Sequence, residues 1–452
     1  MLRSAVGVHW RRVFQRGVIQ LSQPRAAALV IFALALALRV TYNLTLASDY
    51  IPTSDALEYN QLARNLLQWH CYCFFAPGRP TAYRPPLFPL FLAGVYLLGG
   101  ANPLYGRLAL SVVGALTCVL VSIMARDLFG PRVGLLAGLI AATYPQLFIY
   151  DAWLYSESLA ICLFAASCLA MMRASHNPPG WQWLLVGVLL GLTALTRPNG
   201  IYALLAVLAW VALAVLTQAI RWKRATIGSL LILLGCLVVM LPWTIRNASV
   251  TNGAFVPIST GGGIVLAGAY NDSVVADSPV AGFWVNPLNV PADQAVMLRF
   301  PPACWSTCEV ARDQAARNLG IAWATSHLQD IPLLVWNRMI QFWTPAMPPI
   351  DGGLPEPLWP VVARTYPATI ICLALLGLLR LKGRGLVALL PCFFGATVIL
   401  GGILFYGSVR LRAPLEPFLV VLASGAIGWL VTSLRQRRSP ETARANSHQA
   451  KE

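Results

Sequence analysis

The sequence predicts an all-α polytopic membrane protein of about ten transmembrane helices with two large extracytoplasmic loops. Two observations predict it. Apolar residues make up 57% of the 452 positions and charged residues only 11%, against roughly 25% charged in a soluble domain. The charge is also segregated. Six stretches (1–25, 126–132, 173–183, 221–224, 380–384 and 435–452) alternate with apolar runs. They hold 19 of the 33 basic residues but, of the acids, only Asp127, Glu441 and Glu452. The remaining 14 basic and 14 acidic residues cancel, so the whole +16 falls on one face. That is the positive-inside pattern of a cytoplasmic side. The basic balance therefore reports topology and not nucleic-acid binding, and the apolar content excludes a soluble enzyme or a disordered chain.

A span needs about 20 apolar residues. Such runs fall near 24–44, 105–125, 133–150, 155–172, 184–198, 200–219, 226–244, 365–381, 386–405 and 413–433. An even count places both termini in the cytoplasm. The basic leader 1–25 is long for the charged start of a signal peptide, so the first span reads as an uncleaved anchor. The run 86–100 is short, Pro-rich at its start and closed by Gly99-Gly100. Counting it as a span would put Arg126 and Arg132 outside, so it reads as an interfacial or re-entrant helix. The same parity demotes 331–345, which carries Asn337 and Arg338.

The organisation expected is a leader (1–25), a transmembrane module (26–244) containing a first outer loop (45–104), an outer loop or small helical subdomain (245–364), C-terminal transmembrane helices (365–433) and a disordered cytoplasmic tail (434–452). Within the subdomain, 309–328 has helical spacing, and Gly261–Gly263 reads as a flexible turn. No internal repeat suggests inverted halves.

Several chemistries are absent. None of the three Lys (Lys223, Lys382, Lys451) follows Gly, so there is no phosphate-binding loop. No His precedes Glu, and no Gly-x-Ser-x-Gly occurs, which excludes the common zinc helix and nucleophile elbow. Cys71, Cys73, Cys304 and Cys308 lie in the outer loops, where disulfides are expected over free thiols or a zinc site. A Cys71–Cys73 bridge would close a small ring, so Cys304–Cys308 or pairs between the loops are expected. The other six Cys lie in spans as packed small residues.

The chemistry present sits at the outer ends of the spans. Asp55 opens SDALEYNQLARNLL (54–67), an amphipathic helix expected to lie on the membrane surface. It can cap that helix or serve as a general base. Glu157, with Asp151 nearby in YDAWLYSESLA, stands at the mouth of a span. A carboxylate there is costly unless paired or functional. Arg84, Arg197, Arg246, Arg410 and Arg412 each lie at an outer end beside a Pro-stiffened turn. They can snorkel as anchors or bind a phosphate headgroup with their planar forks.

These pieces resemble the bacterial polytopic glycosyltransferases of family 39, the protein O-mannosyltransferase-like group with its aminoarabinose-transferring relatives, within the GT-C superfamily. The resemblance is carried by SDALEYNQLARNLL, AYRPPLFPLFLAGVYLL, YSESLA, GVLLGLTALTRPNG, LPWTIRNASVTNGAFVPIST and VRLRAPLEPFLVVLAS, in the family's order, over about residues 26–433.

The resemblance implies a GT-C fold and a sugar donor linked to a polyisoprenyl phosphate. It also implies inverting transfer to a lipid, glycan or protein acceptor on the outer face of a bacterial inner membrane. Asp55 matches the catalytic Asp, Glu157 the acid of the second outer loop, and Arg84, Arg197, Arg246 and Arg410 the basic positions. Glu58, Tyr59, Asp151 and Asn247 are supporting candidates. Many members carry Asp-Glu where this chain has Asp55-Ala56, so the resemblance calls for no cofactor and leaves a divalent metal as an open but unsupported alternative. Two alternatives share the donor: a flippase or transporter of polyisoprenyl-linked sugars, and a polymerase or ligase of lipid-linked glycans.

Overall fold

The computed structural model describes residues 24–449 apart from 75–76, 176–178, 276–279, 302–303, 305–306 and 347–359. The leader 1–23 lies outside the described residues. Among those described there is no strand. Helices occupy every run expected to span. In chain order they are α1 (Pro24–Leu44), α2 (Ser54–Trp69), α3 (Leu87–Gly99), α4 (Pro103–Phe129), α5 (Pro131–Thr143), α6 (Pro145–Ala152), α7 (Glu157–Ala174), α8 (Gly180–Thr196), α9 (Tyr202–Leu216), α10 (Trp222–Val250), α11 (Gly262–Ala269), α12 (Pro291–Met297), α13 (Glu309–Ser326), α14 (Ile331–Trp343), α15 (Pro360–Leu378), α16 (Leu390–Leu404), α17 (Val409–Arg412) and α18 (Glu416–Gln449).

Among the described residues, seven helices are long and apolar enough to cross a membrane, and α5 with α6, bent by 45°, would make an eighth. The other two expected spans are shorter apolar helices, Gly180–Thr196 and Arg364–Leu378. The bend falls at Pro145, which has no N–H to donate and disfavours helix at the residue before it. Accordingly Tyr144 is extended (φ −79°, ψ 112°). At 13 residues, α3 is about 20 Å long at 1.5 Å per residue, short of a hydrocarbon core of about 30 Å.

Small residues let α8 and α10 approach closely. A Cβ on Gly187 would lie 2.0 Å from the Ile232 carbonyl oxygen, and one on Gly235 2.4 Å from that of Leu184. With lipid tails as apolar as Leu, packing of this kind replaces the hydrophobic effect as the force between helices. Deeper in the bundle Arg39 and Asp151 form a fully buried ion pair, Nε to Oδ2, at 2.6 Å.

Three expectations are corrected. The α2 helix does not merely lie on a surface. It packs against α3 through Tyr59 on Phe88 (ring centroids 5.0 Å apart) and through Tyr96, whose hydroxyl donates to Asn60 Oδ1 at 2.8 Å. Polar Asn60 and Asn65 on its buried side hid that face from a hydrophobicity pattern. Gly261–Gly263 is not a free turn: α11 begins at Gly262, and a Cβ on Gly263 would meet the Asp313 carbonyl oxygen at 1.8 Å. Finally, α18 continues to Gln449 through the expected disordered tail, where Glu, Ala, Arg and Gln favour helix.

Candidate active site

Five chain segments meet at one end of the bundle. Asp55 and Glu58 come from the first two turns of α2. Arg84 follows Tyr83 and precedes Pro85-Pro86, which fix the entry to α3. Glu157 is the first residue of α7. Arg197 leaves the helix at the end of α8 in an extended conformation (φ −145°, ψ 128°) with Pro198 behind it. Arg410 lies in the short helix α17.

Their charges form one continuous chain of ion pairs. Arg84 donates from Nε to Glu58 Oε2 and from Nη2 to Asp55 Oδ1, each at 2.5 Å. Arg410 donates from Nη2 to the other Asp55 oxygen, Oδ2, at 2.7 Å, and from Nε to Glu157 Oε1. Arg197 donates from Nη1 to that same Glu157 oxygen. Three carboxylates and three guanidinium groups thus alternate and neutralise one another. Burial is uneven along the chain. The Glu157 side chain is 1% exposed, whereas Asp55 and Arg410 are each 24% exposed and Arg84 20%.

Aromatic rings frame the cations. The Arg410 guanidinium carbon lies 4.2 Å from the Tyr155 ring centroid, and that of Arg84 5.4 Å from Tyr59 and 5.1 Å from Tyr83. Rings at these distances hold a guanidinium by cation–π attraction.

Asp55 does not cap its helix, since both of its oxygens face arginines. Nor does burial make it basic. Burial works to raise the Asp55 carboxyl, but the charges of Arg84 and Arg410 together outweigh it and hold the group well below the usual carboxylate range. For Glu58 the balance is reversed. Burial pushes its carboxyl up against the pull of Arg84.

Four sequence candidates stand elsewhere. Asp151 is committed to Arg39 inside the bundle. Arg412, fully buried, pairs with Glu416 at 2.7 Å and donates to the Phe342 and Thr344 carbonyls, so it faces away from the site. Asn247 donates to the Val256 and Ile258 carbonyls and shapes a turn. Arg246 lies against Trp243 and Tyr72, at 4.6 and 5.3 Å, and donates to the Thr81 carbonyl at 2.6 Å. It therefore braces the segment leading to Arg84 without joining the ion-pair chain.

Sequence reasoning missed one acid that matters here. Glu309 accepts from the Thr81 hydroxyl at 2.7 Å and from the Ala82 backbone N–H at 2.8 Å. The Ala82 carbonyl in turn accepts from Thr260 N–H at 3.0 Å. The segment between α10 and α15 thereby grips the turn that presents Arg84. In the sequence, Glu309 is indistinguishable from an ordinary acid in the first turn of a helix. Cys71 pairs with Cys73, and Cys304 with Cys308. The Cα atoms of Cys71 and Cys73 lie 5.3 Å apart, where the chain turns after α2. Among the described residues no group of three or more His, Cys, Asp and Glu could hold a metal.

This is an integral membrane protein with the GT-C glycosyltransferase fold, as the sequence led one to expect. The family model described as dolichyl-phosphate-mannose-protein mannosyltransferase matches residues 83–245, a stretch that includes Arg84, Glu157 and Arg197 but neither Asp55 nor Arg410. The chain is similar to the oligosaccharyltransferase AglB of Archaeoglobus fulgidus in complex with an inhibitory peptide and a dolichol-phosphate. There the TM-score is 0.55 at 13% identity, covering 93% of this chain and 52% of that one. It is also similar to that enzyme's complex with zinc and sulfate (0.53, 11%, 93% and 51%). The chain thus spans about half the length of these relatives. A structure of ArnT from Cupriavidus metallidurans bound to undecaprenyl phosphate matches with a TM-score of 0.42 at 15% identity, over 91% of this chain and 78% of that one. No curated protein sequence matches the chain.

Proposed function

We propose that the chain is a glycosyltransferase that moves a sugar from a polyisoprenyl-phosphate donor to an acceptor at the outer face of a bacterial inner membrane, with inversion. One observation carries this reading: Arg84, Arg197 and Arg410, from three separate segments, converge around Asp55 and Glu157 at one end of a GT-C bundle. Guanidinium forks suit phosphate oxygens. A sugar phosphate already carries its leaving group, so neither nucleotide nor metal is required for the displacement.

The roles follow from position. The acceptor oxygen or nitrogen forms its bond to the anomeric carbon from the face opposite the phosphate. The bond from that carbon to the phosphate oxygen breaks, and its electron pair leaves with the phosphate. Arg84 and Arg410 stabilise the charge that grows there. Asp55 takes the proton lost by the acceptor. Glu157 orients Arg197 and Arg410 through a single oxygen. One essential carboxylate is enough for direct inversion, whereas retention uses two about 5 Å apart.

The test is deletion of the gene, with mass spectrometry of envelope lipids, glycans and proteins. One component should lose a sugar increment and regain it with the wild-type gene but not with Asp55→Asn. No mass change, or full rescue by Asp55→Asn, would overturn the reading. A translocator of lipid-linked sugars would move the donor across the bilayer without releasing free polyisoprenyl phosphate, which the same lipid profile detects.

A further inference from the structure

The charges that would hold a phosphate are already spent on one another. Arg84 commits Nε and Nη2 to Glu58 and Asp55, and Arg410 commits Nε and Nη2 to Glu157 and Asp55. The Nε–Nη2 edge is one of the two sides of a guanidinium that can grip two oxygens at once. On both residues that edge is occupied by carboxylates. A phosphate that takes this edge of either arginine takes hydrogen bonds from an acid.

We infer that the donor phosphate displaces Asp55 from Arg84 and Arg410, so that arrival of the donor is the event that releases Asp55 for proton transfer. The inference rests on the donor class proposed above.

Contacts and burial together identify which acid gives way: Glu58, 37% exposed, pairs with Arg84 and not with Arg410, so among the acids on Arg410 the choice lies between Glu157 and Asp55. Glu157 is 1% exposed and shares one oxygen between two arginines. Moving it would strand a buried carboxylate, a change that typically costs several kcal/mol. Asp55 is 24% exposed and holds each arginine through a separate oxygen. It sits at the second position of α2, so a rotation about its short side chain parts both contacts while the helix stays packed on α3. Glu157 then remains as the fixed post that keeps Arg197 and Arg410 in place while Asp55 exchanges with phosphate.

The exchange links two steps that otherwise have no connection. In the unliganded site Asp55 is gripped by two cations and is a poor proton acceptor. Once the phosphate shares those cations, the hold on Asp55 weakens and its affinity for a proton rises. The acceptor is then deprotonated only when a leaving group is in place, which makes donor-first binding the productive order.

The measurement is binding of undecaprenyl phosphate to the full-length protein in phosphatidylcholine nanodiscs, with uncharged undecaprenol as the control. Removing the competing carboxylate by Asp55→Asn should tighten undecaprenyl phosphate binding about tenfold, or ~1.4 kcal/mol, and leave undecaprenol unchanged. Asp55→Glu, which keeps the competitor, should stay near wild type. Equal or weaker phosphate binding by Asp55→Asn overturns the inference while leaving the donor reading intact. Wild-type protein that does not distinguish undecaprenyl phosphate from undecaprenol overturns the donor reading itself. Should Asp55→Asn fail to insert, difference infrared spectra of wild-type protein labelled with carboxyl-13C aspartate give the answer. Undecaprenyl phosphate should shift one carboxylate band, and an unchanged spectrum overturns the exchange.

Discussion

Arg410 reaches back 355 residues to Asp55, placing Nη2 2.7 Å from Oδ2. This contact joins the start of α2 to the segment before the last helix. With its Nε on Glu157, one side chain ties together three regions that are far apart in the sequence.

Arg410→Lys should therefore behave almost as badly as Arg410→Ala. A lysine keeps the charge but cannot present two nitrogens in fixed directions to two acids. Sugar transfer measured on purified protein should fall at least about tenfold in both variants. Wild-type rates with Lys would show that charge alone is needed at this position.

Asp55→Asn should lower the transfer rate by about 10²–10⁴, the usual contribution of a general base, while the protein inserts normally and binds the donor. Asp55→Glu should recover little, because one methylene misplaces the carboxylate. If Asp55→Asn transferred sugar at the wild-type rate, Glu58 or Glu157 would become the base.

The Asp55 pairs also set a pH dependence of stability. The folded carboxyl lies below its unfolded value, since the two arginines outweigh burial. Its stabilising effect is therefore present above the unfolded pKa of about 3.9 and is lost as pH falls through the lower folded value. The difference in melting temperature between wild type and Asp55→Asn should be constant from about pH 5 to 8 and shrink only in stronger acid. A difference that narrows near neutrality would contradict the ion-pair assignment.

Arg412→Ala should act on folding instead of donor binding. It leaves Glu416 buried without its cation, and breaking such a pair costs about 3–5 kcal/mol. The double change Arg412→Met with Glu416→Leu should recover part of that loss. Thermal unfolding in detergent measures both. A stable Arg412→Ala protein with weakened undecaprenyl phosphate binding would return Arg412 to the site.

Alkylation without reduction, followed by mass spectrometry of the denatured chain, should label six cysteines: Cys118, Cys162, Cys168, Cys236, Cys372 and Cys392. Labelling of Cys71, Cys73, Cys304 or Cys308 would count against the two pairs.

The helices were legible because a membrane demands long apolar runs whatever they pack against. Asp55, Arg84, Glu157, Arg197 and Arg410 were legible as charges at the ends of such runs, where few charges are tolerated. Their division of labour was not. Arg410 and Arg412 are two residues apart in VRLRAP, yet one turns to Asp55 and the other to Glu416 inside the bundle. That direction depends on how α17 packs, which no local pattern encodes. Asp151 and Glu157 look alike in YDAWLYSESLA, and the partner across the bundle, Arg39 for one and Arg197 for the other, decides between them.

The Arg39–Asp151 pair constrains how the chain is made. Arg39 belongs to α1, which leaves the ribosome before its carboxylate partner, 112 residues behind it. A lone arginine within a span is costly in lipid, by several kcal/mol on most scales. Until Asp151 has been synthesised and inserted, α1 lacks the counter-charge that makes it compatible with the bilayer. Release of α1 into the membrane should therefore wait for the α5–α6 pair, so that these segments integrate as a group instead of one at a time.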